Sequence, residues 1–275
     1  MAKTALVTGA NGFIGHHLAN ELCDRGYRVT AVDNLSTRAL LLNKKINLIL
    51  GDIRATPSYF GKSFDVIYHL AALRSLPESF VQPRNYIDTN IFGTYNIVSS
   101  FPKSRIVFAS SSAAAEYKSV YGTTKRCAEH FMNMHHNSVS IRFMNIFGEG
   151  EIDTQFVIPA FCRAIKYKQK AIINGDGKLK RDFTYVHDLT DAIIAIGESK
   201  MKGQTEVGYG EPISIIDLYK TIATIAKVKP NFKLGPPRKG DMKLTCSKYK
   251  IREPRFGFVE GLRRTVRWYL GNKEF

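Results

Sequence analysis

The stretch Thr4-Ala5-Leu6-Val7-Thr8-Gly9-Ala10-Asn11-Gly12-Phe13-Ile14-Gly15 decides the fold. Its first five residues read as a buried strand, and a helical stretch runs from Gly12 to Arg25. Glycines at 9, 12 and 15 allow the tight turn between them. They also let backbone N–H groups approach an anion at the helix N-terminus. The spacing is G-x-x-G-x-x-G. Asp33 ends the next strand, 18 residues after Gly15. A carboxylate there accepts hydrogen bonds from an adenosine ribose and repels a 2′-phosphate. Turn and carboxylate together point to a dinucleotide, NAD rather than NADP.

Outward from this unit, short apolar runs alternate with helical stretches. Strands are expected at Thr4–Thr8, Arg28–Asp33, Asn47–Leu50, Val66–His69, Arg105–Ala109 and Val139–Phe143. Helices are expected at Gly12–Arg25, Pro83–Ser100 and Tyr121–Asn137. The alternation predicts an α/β fold, a Rossmann-type doubly wound parallel sheet that binds ligands at the carboxyl ends of its strands. The second half is less regular. It contains helical stretches at Phe156–Lys168, Ile215–Lys227 and Gly261–Leu270, and a Pro/Gly loop at 235–240. It reads as a small C-terminal substrate-binding lobe. The expected NAD-binding domain is 1–152 plus about 182–210, and the lobe is 153–181 plus 211–275.

Composition narrows the class. Hydrophobic residues make up 44% of the 275 and charged residues 23%, ordinary for a globular protein. No apolar run is long enough to span a bilayer, and no signal peptide is visible before Thr4. Cys23, Cys127, Cys162 and Cys246 form no pairing or metal pattern, which fits a reducing, cytoplasmic setting. The formal charge of +16 is unusual. It fits an anionic ligand, a membrane surface or nucleic acid, or simply a solvated lysine-rich surface. The last is favoured, so no membrane and no nucleic acid partner is expected.

Tyr121-Gly122-Thr123-Thr124-Lys125 sets a phenol and an ammonium four residues apart, on one face of a helix. A phenol titrates near 10, and a neighbouring cation steadies its phenolate. Such a tyrosine exchanges a proton with a substrate hydroxyl while hydride moves to a cofactor. Ser110-Ser111-Ser112 follows the strand Arg105–Ala109, at the ligand-binding end of the sheet. A surface helix pair and a polar strand end would use the same residue types. It is their company with the glycine turn that marks them.

Together these residues resemble the extended short-chain dehydrogenase/reductase family, in its NAD-dependent epimerase/dehydratase branch, over essentially the whole chain. The matching segments include Thr8–Gly15, Val32–Leu35, Gly51–Ile53, His69–Ala72, Leu73–Pro83 and Asn90–Thr94. In the second half they are Arg142–Gly148, Gly175–Gly177, Arg181–Val186, Arg238–Asp241 and Glu260–Tyr269. The resemblance implies catalysis by Ser112, Tyr121 and Lys125, with Ser111 the alternative serine. It implies cofactor contacts from Gly9, Gly12, Phe13, Ile14, Gly15, Asp33, Asn34, Asp52, Ile53, Leu70, Ala71, Ala72, Arg74, Asn90, Tyr121, Lys125 and Phe143. Substrate contacts are implied for Arg74, Ser111, Ser112, Asn145, Val157, Ile173, Arg181, Arg238 and Asp241. No metal is implied. Arg181 and Arg238 would supply the guanidinium forks that a diphosphate needs.

Dehydratases of this branch carry Asp-Glu just after the Ser/Thr, and its decarboxylases also expect an acid nearby. Here Ala113-Ala114 occupies those positions, and alanine does no acid/base work. The expectation is therefore a UDP-hexose or UDP-N-acetylhexosamine 4-epimerase acting through a 4-keto intermediate, with NAD resident. Another NAD-dependent sugar-nucleotide dehydratase or oxidoreductase is the runner-up. A non-catalytic dinucleotide- or nucleic-acid-binding protein on this fold ranks third. One departure stands out: only eight residues separate Ser112 from Tyr121, fewer than the family places in that active-site wall. Family members often pair through the two helices Pro83–Ser100 and Tyr121–Asn137, so a homodimer is expected. Phe92, Tyr95, Cys127, Phe131 and Met134 would serve as contact or core.

Overall fold

The structure, a computed structural model, describes residues 2–37, 40–55, 63–116, 118–237 and 244–271. The chain forms two compact units. Unit one is Met1–Phe143 with Thr190–Glu206, and unit two is Met144–Leu189 with Val207–Phe275.

Unit one is built on the strands β1 (Thr4–Thr8), β2 (Arg28–Asp33), β3 (Asn47–Leu50), β4 (Val66–His69), β5 (Arg105–Ser111) and β6 (Ser138–Phe143). With the edge strand Gly203–Val207 they make one seven-stranded sheet, ordered Gly203–Val207, β6, β5, β4, β1, β2, β3. The pairs among β1 to β6 are parallel. β1 and β4 are neighbours, so the winding reverses between them, and the crevice at their carboxyl ends is where such sheets take ligands. Every residue of β4 and the first six of β5 are buried, as expected of a sheet covered on both faces. Leu6, Ile67, Ile106 and Phe108 join Ile97, Ala128 and Met132 of the helices in the core.

Two details position the site. β5 runs two residues beyond the predicted Ala109, because its register with β6 continues to Ser111↔Phe143. The following helix begins at Val120, where the Ser119 hydroxyl accepts the Gly122 N–H at 3.0 Å and caps it. Over the predicted helix Pro83–Ser100, residues Ile87–Phe92 form a π-helical segment between α-helical ends. Gly93 follows it, where any Cβ would lie 2.6 Å from Ile53 Cδ1.

Among the described residues, unit two holds three small sheets. Asn145–Phe147 pairs with Phe183–Tyr185, Ala171–Asn174 with Phe232–Gly235, and Lys180–Arg181 with both Ile213–Ser214 and Leu244–Thr245. The first pairing ties 145–147 to the 183–185 strand within this unit. Helices Val157–Lys166, Ile215–Ile225 and Gly257–Gly271 complete the unit. The last starts four residues before the expected Gly261. There the Asp188 carboxylate accepts the Phe256 and Gly257 N–H groups at 3.0 and 2.8 Å. Asp182, fully buried, ties three segments together by accepting the N–H groups of Tyr209, Gly210 and Ser247. No described helix is long and apolar enough to cross a membrane.

Candidate active site

The glycine turn forms a cradle that side chains would fill. Gly9 has φ +70°, and a Cβ there would lie 2.7 Å from the Ala71 nitrogen. A Cβ on Gly15 would lie 2.0 Å from the Gly9 carbonyl oxygen. Asp33 is buried behind the turn. One of its oxygens accepts the Asn11 N–H at 2.9 Å, and the other the Leu35 N–H at 2.8 Å. Asn11 Oδ1 is buried with no partner among the described residues. Leaving such an acceptor unsatisfied costs about 1–3 kcal/mol, and a ligand hydroxyl would recover it. The turn thus fits a bound dinucleotide. Asp52 offers no such opening: Arg54 holds its carboxyl down at about 2, and Asn34 Nδ2 donates to it at 3.0 Å. Ile53 is buried against Gly93.

Next to the turn, His69 is fully buried between Thr8 (2.7 Å) and Thr94 (3.1 Å). Burial lowers it to about 3, so the ring is neutral. Leu70 and Ala71 follow the same path, with the Leu70 N–H on the Thr8 carbonyl at 3.1 Å. The Asn90 side chain is spent on the protein. Its Oδ1 accepts the Leu73 N–H at 2.9 Å, and its Nδ2 donates to the Leu73 carbonyl and to Thr124 Oγ1. Asn90 thus fastens the segment after β4, which carries Ala72 and Arg74, to the helix Val120–Met134.

The reacting centre is held by three consecutive residues of β5. Lys125 Nζ donates to the Ala109 carbonyl at 2.7 Å. The Ser110 hydroxyl donates to buried Glu129 at 2.7 Å. The Ser111 hydroxyl hydrogen-bonds the Tyr121 phenol. Tyr121, Lys125 and Glu129 stand at four-residue intervals on one helix face. It is Ser111, then, that meets the tyrosine. Ser112, the first choice from sequence, opens a 3-10 turn through Ala115.

Electrostatics follow from burial. Desolvation raises the Tyr121 phenol, while the Ser111 hydrogen bond and the Arg74 charge draw it back down. Desolvation brings Lys125 down to about 7, opposed by the Glu129 charge. Its ammonium also lies 4.7 Å from the Phe108 ring centre. Against the burial that would neutralise it, Glu129 is held charged by two hydrogen bonds from Arg142 at 2.8 Å each, with Arg126 and Gln204 donating one each. Sequence reasoning passed over Glu129, although its place four residues after Lys125 was a readable signal. Phe143 is buried beside Ser111 across the β5–β6 pair.

Within unit two, Arg181 is a buried arginine that donates to the Lys180 carbonyl at 2.9 Å. Asn145 Nδ2 donates to Thr245 Oγ1 at 2.8 Å. Val157 begins its helix, and Ile173 is wholly buried in the core of the unit. Arg238 and Asp241 lie outside the described residues.

Comparison with known proteins identifies the family. A profile of the NAD dependent epimerase/dehydratase family matches residues 5–209. The chain is 29% identical to a UDP-N-acetyl-alpha-D-glucosaminuronate decarboxylase of Bacillus cytotoxicus, covering 98% of each chain. That alignment runs over 323 positions, so the relative carries insertions that these 275 residues lack. A UDP-N-acetylglucosamine 4-epimerase from Methanobrevibacter ruminantium, solved with UDP-N-acetylmuramic acid, superposes with TM-score 0.90 at 30% identity over 98% of each chain. The UDP-glucose 4-epimerase of Thermus thermophilus, solved with NAD, gives TM-score 0.87 at 26% identity over 98% of this chain and 99% of that one. The chain belongs to the NAD dependent epimerase/dehydratase family.

Proposed function

We propose that this family member is an NAD-dependent UDP-sugar 4-epimerase. The observation that carries the reading is the make-up of the reacting centre. It offers one phenol, one hydroxyl and one ammonium, and Ala113 and Ala114 follow the serines. Such a centre moves one proton, and the alanines add no acid to drive loss of water. NAD, held by the glycine turn, Asp33 and Asn11, would supply the hydride acceptor and donor.

Tyr121 takes the proton from the sugar 4-hydroxyl and returns it after the ring has presented its other face. Ser111 holds that hydroxyl and the phenolate oxygen in line. Lys125 is held charged while the phenolate stands beside it, because that anion favours the ammonium, and Arg74 adds a second positive charge. Arg181 supplies a guanidinium for the diphosphate. Phe92, Tyr95 and Met134 are 56, 51 and 82% exposed on the two helices expected to pair, which supports a homodimer. Sedimentation of Tyr95→Glu against the parent protein tests that assembly.

The activity test is incubation with NAD and each of UDP-glucose, UDP-N-acetylglucosamine and UDP-glucuronate, alongside their 4-epimers. Interconversion of at least one pair, without loss of carbon dioxide or water, is expected. Loss of carbon dioxide would move the assignment to the chemistry of the Bacillus relative, and no conversion at all would remove the epimerase reading.

A further inference from the structure

The catalytic reading leaves the charge of +16 unexplained. Two long stretches of unit two contain no acidic residue: 22 residues from Thr154 to Gly175, and 23 from Leu218 to Gly240. The fold lays them side by side. Helix Val157–Lys166 feeds the strand Ala171–Asn174, helix Ile215–Ile225 feeds Phe232–Gly235, and the two strands pair in parallel from Ala171↔Phe232. The Ala171 N–H donates to the Asn231 carbonyl at 3.0 Å, so both helix-to-strand turns meet at one end of the sheet.

The two turns are built alike. Each helix closes with the same pair of backbone bonds: Lys168 N–H to Ile165 and Gln169 N–H to Ala164 in one, Lys227 N–H to Thr224 and Val228 N–H to Ala223 in the other. In this closing motif the first residue past the cap is left-handed and is usually glycine. Here it is lysine both times, with φ 54° at Lys168 and 57° at Lys227. A side chain in that conformation is strained, and glycine would relieve the strain. Lys170, Lys229 and Lys233 stand beside them, all exposed and all without an acidic partner among the described residues. The acids on the adjoining helices are engaged elsewhere, Asp217 with Lys220 and Ser214, and Glu260 with Arg263 and Arg264.

Favourable contact with the helix dipoles needs fewer cations than this, since Arg163 and Lys166 already occupy the last turn of the first helix. The surface also carries apolar side chains among the lysines. Tyr167, Ile172 and Val228 are 51, 54 and 41% exposed, and the register sets Ile172 beside Lys233 on one face of the strand pair. We propose that this lysine-rich end of unit two docks the protein onto an anionic lipid bilayer. Lysines supply non-specific attraction to acidic headgroups, and the aliphatic tips reach the headgroup–acyl boundary. Nucleic acid is the poorer fit, because the five charges are lysines without guanidinium forks, and aliphatic side chains gain nothing from a phosphate backbone. The sequence alone favoured a solvated surface with no membrane partner. Placement of the lysines in the fold changes that reading.

The test is co-sedimentation of the full chain with vesicles of phosphatidylcholine, alone or mixed with phosphatidylglycerol. Binding is expected to the mixed vesicles only, falling as salt rises. The double variant Lys168→Gly/Lys227→Gly is expected to melt at a higher temperature, because it relieves two strained turns. It should bind mixed vesicles about 25-fold more weakly, roughly fivefold per lysine. Ile172→Ser/Val228→Ser is expected to weaken vesicle binding without changing its salt dependence. The proposal is overturned if the parent protein ignores the mixed vesicles, if it binds single-stranded DNA in their place, or if the glycine variant binds as the parent does. None of these readouts depends on sugar chemistry, so the epimerase reading stands or falls separately.

Discussion

Lys125 Nζ donates to the Ala109 carbonyl at 2.7 Å, two residues before the serine that meets Tyr121. The proposed partner cation of the phenolate and the hydroxyl that bonds the phenol are thus fixed to the end of one strand. Proton transfer should be sensitive to that strand at Ser111 and far less at Ser112. Tyr121→Phe is expected to lower UDP-sugar interconversion by about 10²–10⁴-fold, the usual worth of a positioned acid/base group. Ser111→Ala should lower kcat clearly more than Ser112→Ala, with both variants folded by circular dichroism. The reverse ranking would return the role to Ser112.

Burial holds Lys125 at about 7, against about 10.4 in an unfolded chain. Between these values the unfolded chain binds the proton and the folded chain does not. The lysine's contribution to stability therefore grows as pH rises across that window, by up to about 1.4 kcal/mol per pH unit, and is lost as pH falls toward 7. Lys125→Met should flatten the rise in urea midpoint between about pH 7.5 and 9.5, measured without cofactor. An unchanged slope would refute the assignment.

Glu129 has no exposed side-chain surface, and Arg142 beside it is 14% exposed. Removing one partner of a buried pair leaves the other charge stranded, at about 3–5 kcal/mol. Glu129→Ala is expected to be destabilised on that scale by chemical denaturation. Glu129→Ala/Arg142→Met should recover part of the loss. A single variant as stable as the parent protein would show that the ion pair contributes nothing.

Gly15→Ala places a methyl only 2.0 Å from the Gly9 carbonyl oxygen, well inside contact distance. The turn must open, and overpacking of about 1–3 kcal/mol translates into NAD affinity reduced by roughly 5- to 150-fold. Calorimetric titration with NAD checks this, and parental affinity would show that the cofactor does not use the turn.

The sheet was legible because it depends on local patterns: apolar runs of strand length, a glycine turn, and Asp33 at a strand end. The helix carrying Tyr121 and Lys125 was legible from their spacing. The Ser111–Tyr121 hydrogen bond was not, since the placing of the serines rests on how far β5 stays in register with β6. The pairing of Asn145–Phe147 was not legible either, since it is a three-residue strand whose partner lies at Phe183–Tyr185, far along the sequence. The role of Asn90 needed the fold too. The asparagine was recognised, but its side chain serves Leu73 and Thr124.

The π-helical segment Ile87–Phe92 has an evolutionary reading. Geometrically it is an α-helix that has absorbed one surplus residue. Deleting a residue there would regularise the backbone, yet it would swing whatever follows by about 100° around the axis. Asn90 would then lose Leu73, and Gly93 its fit against Ile53. A one-residue deletion would thus trade a smoother backbone for two lost fits at once, a cost that keeps the surplus residue in place.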